Sequence, residues 1–464
     1  IKVFGKENFF LEIQPCVIKQ DEDGNNIPHE QAMVDQFMYV LADAYGLDVV
    51  CSTDSHYGAK EDAKIHEAYL KADDDEKASD REVAAFYETA YMFGKSELVE
   101  TLSAFLTEEQ ITRAFNGTQK VYDMIEAYDL YHPTIVPTDK KLPPFKLRHI
   151  FKDWYDKYEY LSKFAHSDDI QDQYLLYLVE QGFDHHNQWG DSTYHFATYD
   201  ENGNVTEEHD KTVTQEEKIA RINEEFSSFW QISERLNQKL SAYYVLVRGL
   251  VHEVMWKVSF VGVARGSAGG SYVCYLSEIT QINPLKYDLP FWRHSSPLRP
   301  ELPDIDVDSE ALKRPLIFQN MHDYYGDENV LNTLTLKTEG TKSVIQVCCK
   351  GLGINNDDAQ YLADLVPFER GKNWSLSDCF NGNEDENRPP QVEFINEVVK
   401  YDGLKETLLK IEGLISGRSI HASASYIFDA GYIAQNSKMR APNGTTITAY
   451  NMEDSDYMGG LKVD

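Results

Sequence analysis

The sequence predicts a multidomain α/β protein, and three observations carry that expectation. The chain has 464 residues, room for two to four domains with separate and modest cores. Near its start a helical pattern runs directly into a short branched-residue strand and a polar loop. Further on, a heptad alternates carboxylates with apolar residues, the two-residue period of a strand with one wet face.

In chain order, Val34, Phe37, Met38, Leu41 and Tyr45 fall at helical spacing, so a helix is predicted over 31–45 with Gly46 as its stop. Leu47-Asp48-Val49-Val50-Cys51 then reads as a strand, and Ser52-Thr53-Asp54-Ser55-His56 as a loop of ligand-type side chains. Helix, strand and polar loop in that order suit a β/α barrel, which places its chemistry at strand C-terminal ends. The acidic run Asp73-Asp74-Asp75-Glu76, within a crowded 61–100 stretch, reads as a solvated face and not a metal cage. Pro133, Pro137, Pro143 and Pro144 mark an extended connector. Tyr194 to Glu207, with Asp200-Glu201-Asn202-Gly203 at its centre, predicts a surface hairpin. Asp184, His185, His186, His195 and His209 are metal-binding types, but in so polar a segment they read as solvated. No internal repeat is visible.

Composition excludes several classes. Apolar residues make up 42% and aromatics 12%, which excludes wholesale disorder, and no apolar run approaches the roughly 18 residues of a membrane span. The opening Ile1-Lys2-Val3-Phe4 has neither an initiator Met nor the zones of a signal peptide, so a cytoplasmic location and a truncated start are expected. The six cysteines, at 16, 51, 274, 348, 349 and 379, lack zinc or redox spacing and read as free, mostly buried thiols. A net charge of −33 opposes nucleic-acid binding as a global property. Residues 241–300 reverse it locally, with six basic groups (Arg248, Lys257, Arg265, Lys286, Arg293, Arg299) against three acidic ones (Glu253, Glu278, Asp288). Field focusing depends on that local balance.

Two stretches carry chemistry. In Leu302-Pro303-Asp304-Ile305-Asp306-Val307-Asp308, strand alternation sends the three carboxylates to one face and Ile305 and Val307 into the core. Such a row suits hard divalent cations, which take oxygen ligands and act in pairs in phosphoryl transfer. An edge strand guarded by charge is the plain alternative. The second stretch is Val263-Ala264-Arg265-Gly266-Ser267-Ala268-Gly269-Gly270-Ser271. Its glycines let backbone amides approach a polyphosphate, its serines add donors, and Arg265 can fork onto phosphate oxygens. It lacks the Gly-Lys-Ser/Thr of a P-loop, and an ordinary tight turn has the same composition.

Taken in order, Arg265 to Ser271, Ile279-Thr280, Asn283 to Tyr287, Phe291-Trp292-Arg293 and Pro303 to Asp308 resemble the palm of the DNA polymerase III alpha subunit, a C-family replicative polymerase. Thr338 to Ser343, His421-Ala422 and Gly460-Leu461-Lys462-Val463-Asp464 continue the pattern. Upstream, Phe10 to Gln14, Thr53 to Tyr57, Glu61-Asp62-Ala63 and His66 resemble the C-terminal part of that family's PHP domain. The chain departs from the pattern at Trp292 and His294, at Ser423 to Ser425 and at Ala449, which suggests a divergent, phage-borne lineage.

The resemblance implies a partial PHP β/α barrel, then a polymerase-beta-like nucleotidyltransferase palm with an inserted helical thumb. The expected domains are 1–145 (PHP and connector), 146–335 (first part of the palm), 336–419 (thumb) and 420–464 (second part of the palm, truncated). It implies that Asp304, Asp306 and Asp464 hold two Mg²⁺, with Lys462 in the same site, and that Arg265, Gly266, Ser267 and Arg293 receive the incoming triphosphate. Asp54 and His56 match PHP metal ligands, for Zn²⁺ or Mn²⁺ in an intact domain. The implied reaction is template-directed DNA synthesis, with primer–template DNA and dNTPs as substrates and a sliding clamp and replisome subunits as partners, without membrane. A PHP-type phosphoesterase or 3′–5′ exonuclease and a non-catalytic DNA-binding remnant are the rivals. The fragment alone is expected to be inactive, because the family's fingers would follow Asp464.

Overall fold

The computed structural model describes residues 1–27, 29–73, 87–138, 141–429 and 437–463. Two compact units emerge, one formed by 1–129 with 337–417 and the other by 130–336 with 418–464. The architecture is mixed α/β throughout, and no helix among the described residues is long and apolar enough to cross a membrane. Asp74 to Glu76 lie outside the described residues.

In the first unit, β1 (Phe10–Ile13) pairs in parallel with β2 (Asp48–Cys51), from Phe10 opposite Asp48 to Ile13 opposite Cys51. Parallel neighbours need a crossover, and α1 (Glu30–Tyr45) supplies it. The His29 side chain accepts from the Gln31 amide at its start, and Gly46 closes it at φ 59°. The helix therefore stands where its spacing predicts, but another face is buried: Ala32, Asp35, Tyr39 and Ala42 point inward, while Val34 and Phe37 are 45% and 55% exposed. Two alanines let the helix lie close on the strands, and the Tyr39 hydroxyl donates to the Gln110 carbonyl of α2 (Glu108–Asp123) at 2.7 Å. Residues 337–417 add helices Thr341–Gly351, Asn356–Asp364, Leu376–Asn381, Val392–Val398 and Leu404–Ile411 around Ile345, Phe394 and Leu408. Cys348 and Cys349 are both buried there, and all six cysteines are free thiols.

Asp35 gives this unit a pH signature. Its carboxylate is fully buried, accepting from the Gln31 amide nitrogen at 2.8 Å and the Gln14 backbone at 3.3 Å. Burial outweighs those two bonds and lifts the carboxyl from 3.8 to about 6. Between those values the folded chain holds a proton that the unfolded chain releases, so stability falls as pH rises from about 4 to about 6. The expected loss is on the order of 2–3 kcal/mol, read as faster amide exchange along α1 at pH 7 than at pH 4.5 after correction for intrinsic rates. Asp35→Asn should flatten that difference, and an unchanged pH slope in the variant would reject the assignment.

The second unit packs helices α3 (Ile170–His185), α4 (Gln215–Leu236) and α5 (Leu240–Gly249) around an aromatic core in which Phe164 stacks on Phe226 at 4.0 Å between centroids. Strands β3 (Ser192–Tyr199) and β4 (Val205–Val213) form the predicted hairpin. The described residues of the proline-marked connector, 130–138 and 141–149, carry no helix or strand. A five-residue helix, α6 (Tyr272–Leu276), lies so close to α3 that a Cβ on Gly182 would sit 1.7 Å from the Leu276 carbonyl oxygen. The sheet of this unit takes strands β5 (Val330–Thr338), β6 (Ile415–Ile427), β7 (Lys438–Arg440), β8 (Thr446–Thr448) and β9 (Leu461–Val463) in the order β9-β6-β5-β8-β7. β8 runs parallel to β5, and β9 is an edge strand antiparallel to β6.

Candidate functional site

The carboxylate heptad belongs to no strand ladder, which corrects the expectation of a sheet strand. Pro300 and Pro303 bring no N–H groups to a ladder, and pairing is limited to a bridge between Ser309 and Val261, beside the Gly262 amide donating to the Asp308 carbonyl at 2.9 Å. The two-residue facing persists nonetheless. Ile305 is buried in the core and Val307 packs against it, whereas Asp304 and Asp308 are exposed and Asp306 is half-buried. Tyr243 is buried in the same unit, and its phenol is held well above its ordinary value, first by burial and then by the nearby charge of Asp304, with Asp306 adding to it.

Arg265 joins the two predicted chemical stretches. Its Nη1 donates to Asp308 Oδ1 at 2.8 Å, and its Nε lies 3.5 Å from Asp306 Oδ2. Directly after it, Gly266 to Gly270 form a 3₁₀ turn that opens with Gly266 at φ 59°, a left-handed conformation that favours glycine. The Gly/Ser loop and the carboxylate segment are thus neighbours.

Residues that sequence reasoning missed hold this loop in place. Glu225 of α4 is fully buried, and its carboxylate accepts from Ser271 Oγ at 2.7 Å and from the Tyr272 and Val273 amides at 2.7 and 2.9 Å, fixing the start of α6. Arg221, one turn earlier, pairs with Glu225 at 2.9 Å and donates to the carbonyls of Gly270 and Leu289 at 2.7 and 3.0 Å. Burial pushes the Glu225 carboxyl up while Arg221 and the backbone donors pull it down. In the sequence this pair looks like any i,i+4 surface ion pair, and only its place beside the apolar stripe Ile222, Phe226 and Phe229 hinted at burial. His294, noted only as a departure, lies 3.3 Å through Nδ1 from Ser267 Oγ and 2.9 Å through Nε2 from the Tyr244 hydroxyl.

Arg293 is exposed at the end of the turn Phe291–Arg293. Lys462 is half-buried at the centre of β9, opposite Tyr426 of β6, and Asp464 lies outside the described residues. Among the described residues no group of three His, Cys, Asp or Glu side chains could hold a metal ion, the histidines near 184–209 included. His195 instead pairs with Asp210 across the hairpin at 2.8 Å. Asp304 and Asp306 are hard oxygen donors of the kind Mg²⁺ takes, so the donor chemistry fits while the third expected ligand is the undescribed Asp464. In the first unit, Asp54 adopts φ 45°, and its carbonyl oxygen lies 2.6 Å from His56 Nδ1. With the proton on Nδ1, Nε2 keeps its lone pair, the form in which histidine binds metal.

Comparison with known proteins assigns the class. Residues 193–464 match the family described as the bacterial DNA polymerase III alpha NTPase domain, and the chain belongs to that family. Among individual relatives it is 42% identical to the probable DNA polymerase YorL of Bacillus subtilis (strain 168), over all of this chain and 33% of that protein. The DNA-directed DNA polymerase of Bacillus phage SPbeta matches with the same figures. The DNA polymerase III subunit alpha of Thermus aquaticus is 26% identical, over all of this chain and 37% of its own length. The chain therefore spans about a third of the curated relatives it matches.

Proposed function

We propose that this chain carries the nucleotidyl-transfer centre of a replicative DNA polymerase, in which a primer 3′-oxygen attacks the α-phosphorus of a dNTP and pyrophosphate leaves. One observation carries the reading: Arg265 ties the Gly/Ser loop to the carboxylate segment at 2.8 and 3.5 Å, so triphosphate donors and metal-type acids share one surface. Asp304 and Asp306, with Asp464 as third, are the residues that would hold Mg²⁺. The bound ions would activate the attacking oxygen and neutralise charge on the leaving group. The Gly266 amide and Ser267 hydroxyl orient phosphate oxygens, Arg265 can turn from Asp308 to a phosphate, and Arg293 and Lys462 add positive charge. The same reading divides the chain into a PHP part (1–145), palm (146–335 and 420–464) and thumb (336–419), with Asp54 and His56 as Zn²⁺ or Mn²⁺ ligands of the first; the family match over 193–464 supports the polymerase part alone. Primer–template DNA and dNTPs are the substrates, and a sliding clamp and replisome subunits the partners, in the cytoplasm.

The test is primer extension by the full-length protein with Mg²⁺. Arg265→Ala is expected to raise the KM for dNTP about tenfold or more, the loss of a charge-assisted bond worth about 1.5–3 kcal/mol. Extension with an unaltered KM would reduce the loop to a turn.

A further inference from the structure

The Ser267 hydroxyl can serve a phosphate as a donor only if its proton is not already committed elsewhere, and its buried neighbours decide that. Tyr244 is fully buried against Phe229, with ring centroids 4.3 Å apart. Among the described residues, the hydrogen-bond partner of its hydroxyl is His294 Nε2, at 2.9 Å. An O–H in a dry core keeps its proton on a bond, so the phenol donates and Nε2 accepts. His294 is itself 2% exposed, and burial lowers its imidazole to about 4, which leaves it neutral near pH 7. A neutral imidazole with an accepting Nε2 carries its proton on Nδ1, and Nδ1 stands 3.3 Å from Ser267 Oγ. The serine oxygen is thereby on the receiving end. Among the described residues the Ser267 hydroxyl has no other hydrogen-bond partner, so its own proton is left free, on a half-buried residue of the loop that borders the carboxylates.

We propose that Tyr244 and His294 form a buried positioning relay that fixes the imidazole tautomer and commits the Ser267 hydroxyl to donate outward, to a phosphate oxygen of the incoming nucleotide. The inference rests on the reading of the Gly/Ser loop as the triphosphate site. Without the Tyr244 hydroxyl the imidazole is free to move its proton to Nε2. Nδ1 then accepts from Ser267, and the donor is withdrawn from the phosphate.

The experiment measures kcat and the KM for dNTP in primer extension by the full-length protein, with the melting temperature of each variant taken alongside. Tyr244→Phe and His294→Phe are expected to raise KM about tenfold with kcat within about twofold, the loss of one hydrogen bond to a charged group. His294→Asn, whose side-chain amide places an N–H near the Nδ1 position, should remain within about threefold of the parent. The double variant Ser267→Ala/Tyr244→Phe should be no worse than Ser267→Ala alone, because both remove the same donor. Full additivity of those two, or His294→Asn as impaired as His294→Phe, overturns the relay. If Ser267→Ala raises KM while Tyr244→Phe does not, the relay alone falls. If Ser267→Ala leaves KM unchanged, the loop reading falls and the relay with it. Should Tyr244→Phe lower the folded fraction, the contrast between His294→Phe and His294→Asn decides the matter by itself.

Discussion

Asp304→Ala in the full-length protein is expected to slow nucleotide addition by about a thousandfold or more, with primer–template affinity changed less than about threefold. A carboxylate that would hold a catalytic cation contributes several kcal/mol in the transition state, and about 4 kcal/mol corresponds to three powers of ten in rate. Asp306→Ala should act alike, since the alternation that buries Ile305 turns Asp304 and Asp306 away from the core together. Asp308 is a useful control. It is exposed, and its carboxylate is taken up by Arg265 at 2.8 Å, so Asp308→Ala should cost less than about tenfold. Single-turnover extension under saturating dNTP makes the comparison. Parental rates with Asp304→Ala would remove the carboxylates from the mechanism.

Glu225→Ala is expected to be the most destabilising single substitution near the site. It strips acceptors from Ser271 Oγ and the Tyr272 and Val273 amides, and leaves the largely buried Arg221 guanidinium without its 2.9 Å partner. Removing one member of a buried, hydrogen-bonded pair costs about 3–5 kcal/mol, because the other charge stays desolvated. Tryptophan fluorescence suits the measurement, since Trp154, Trp189, Trp230, Trp256 and Trp292 lie in the second unit and Trp374 in the first. The denaturant midpoint of that fluorescence transition should drop, with its slope unchanged. Glu224→Ala is the matched surface change: Glu224 lies 3.9 Å from Arg221 and is largely exposed, so it should shift stability by under about 0.5 kcal/mol. Equal effects from the two would show that the Glu225 network does not hold the loop. The fluorescence midpoint and the dNTP KM separate folding from positioning, because a Glu225→Gln variant that folds normally should still loosen the start of α6.

What the sequence determined by itself is local. Gly46 ended α1 because a helix stop needs a left-handed residue, branched residues after it made β2, and Asp200 to Gly203 turned the hairpin. The period of two in 304–308 set which side chains meet the core and which meet water, and the order of motifs carried the family. These features depend on neighbours within a few residues, whose backbone preferences a sequence states directly. Tertiary structure decided the rest. It chose the Ala32, Asp35 and Tyr39 face of α1 over the more apolar one, because close approach to β1 and β2 needs small residues and an acceptor for the Gln14 amide. It kept 302–308 out of any ladder, turned an unremarkable Arg221–Glu225 pair into the brace of the loop, and brought His294 to Ser267 across 27 residues. In each case the deciding partner is distant along the chain, and a buried polar group is stable only where the fold has already delivered that partner.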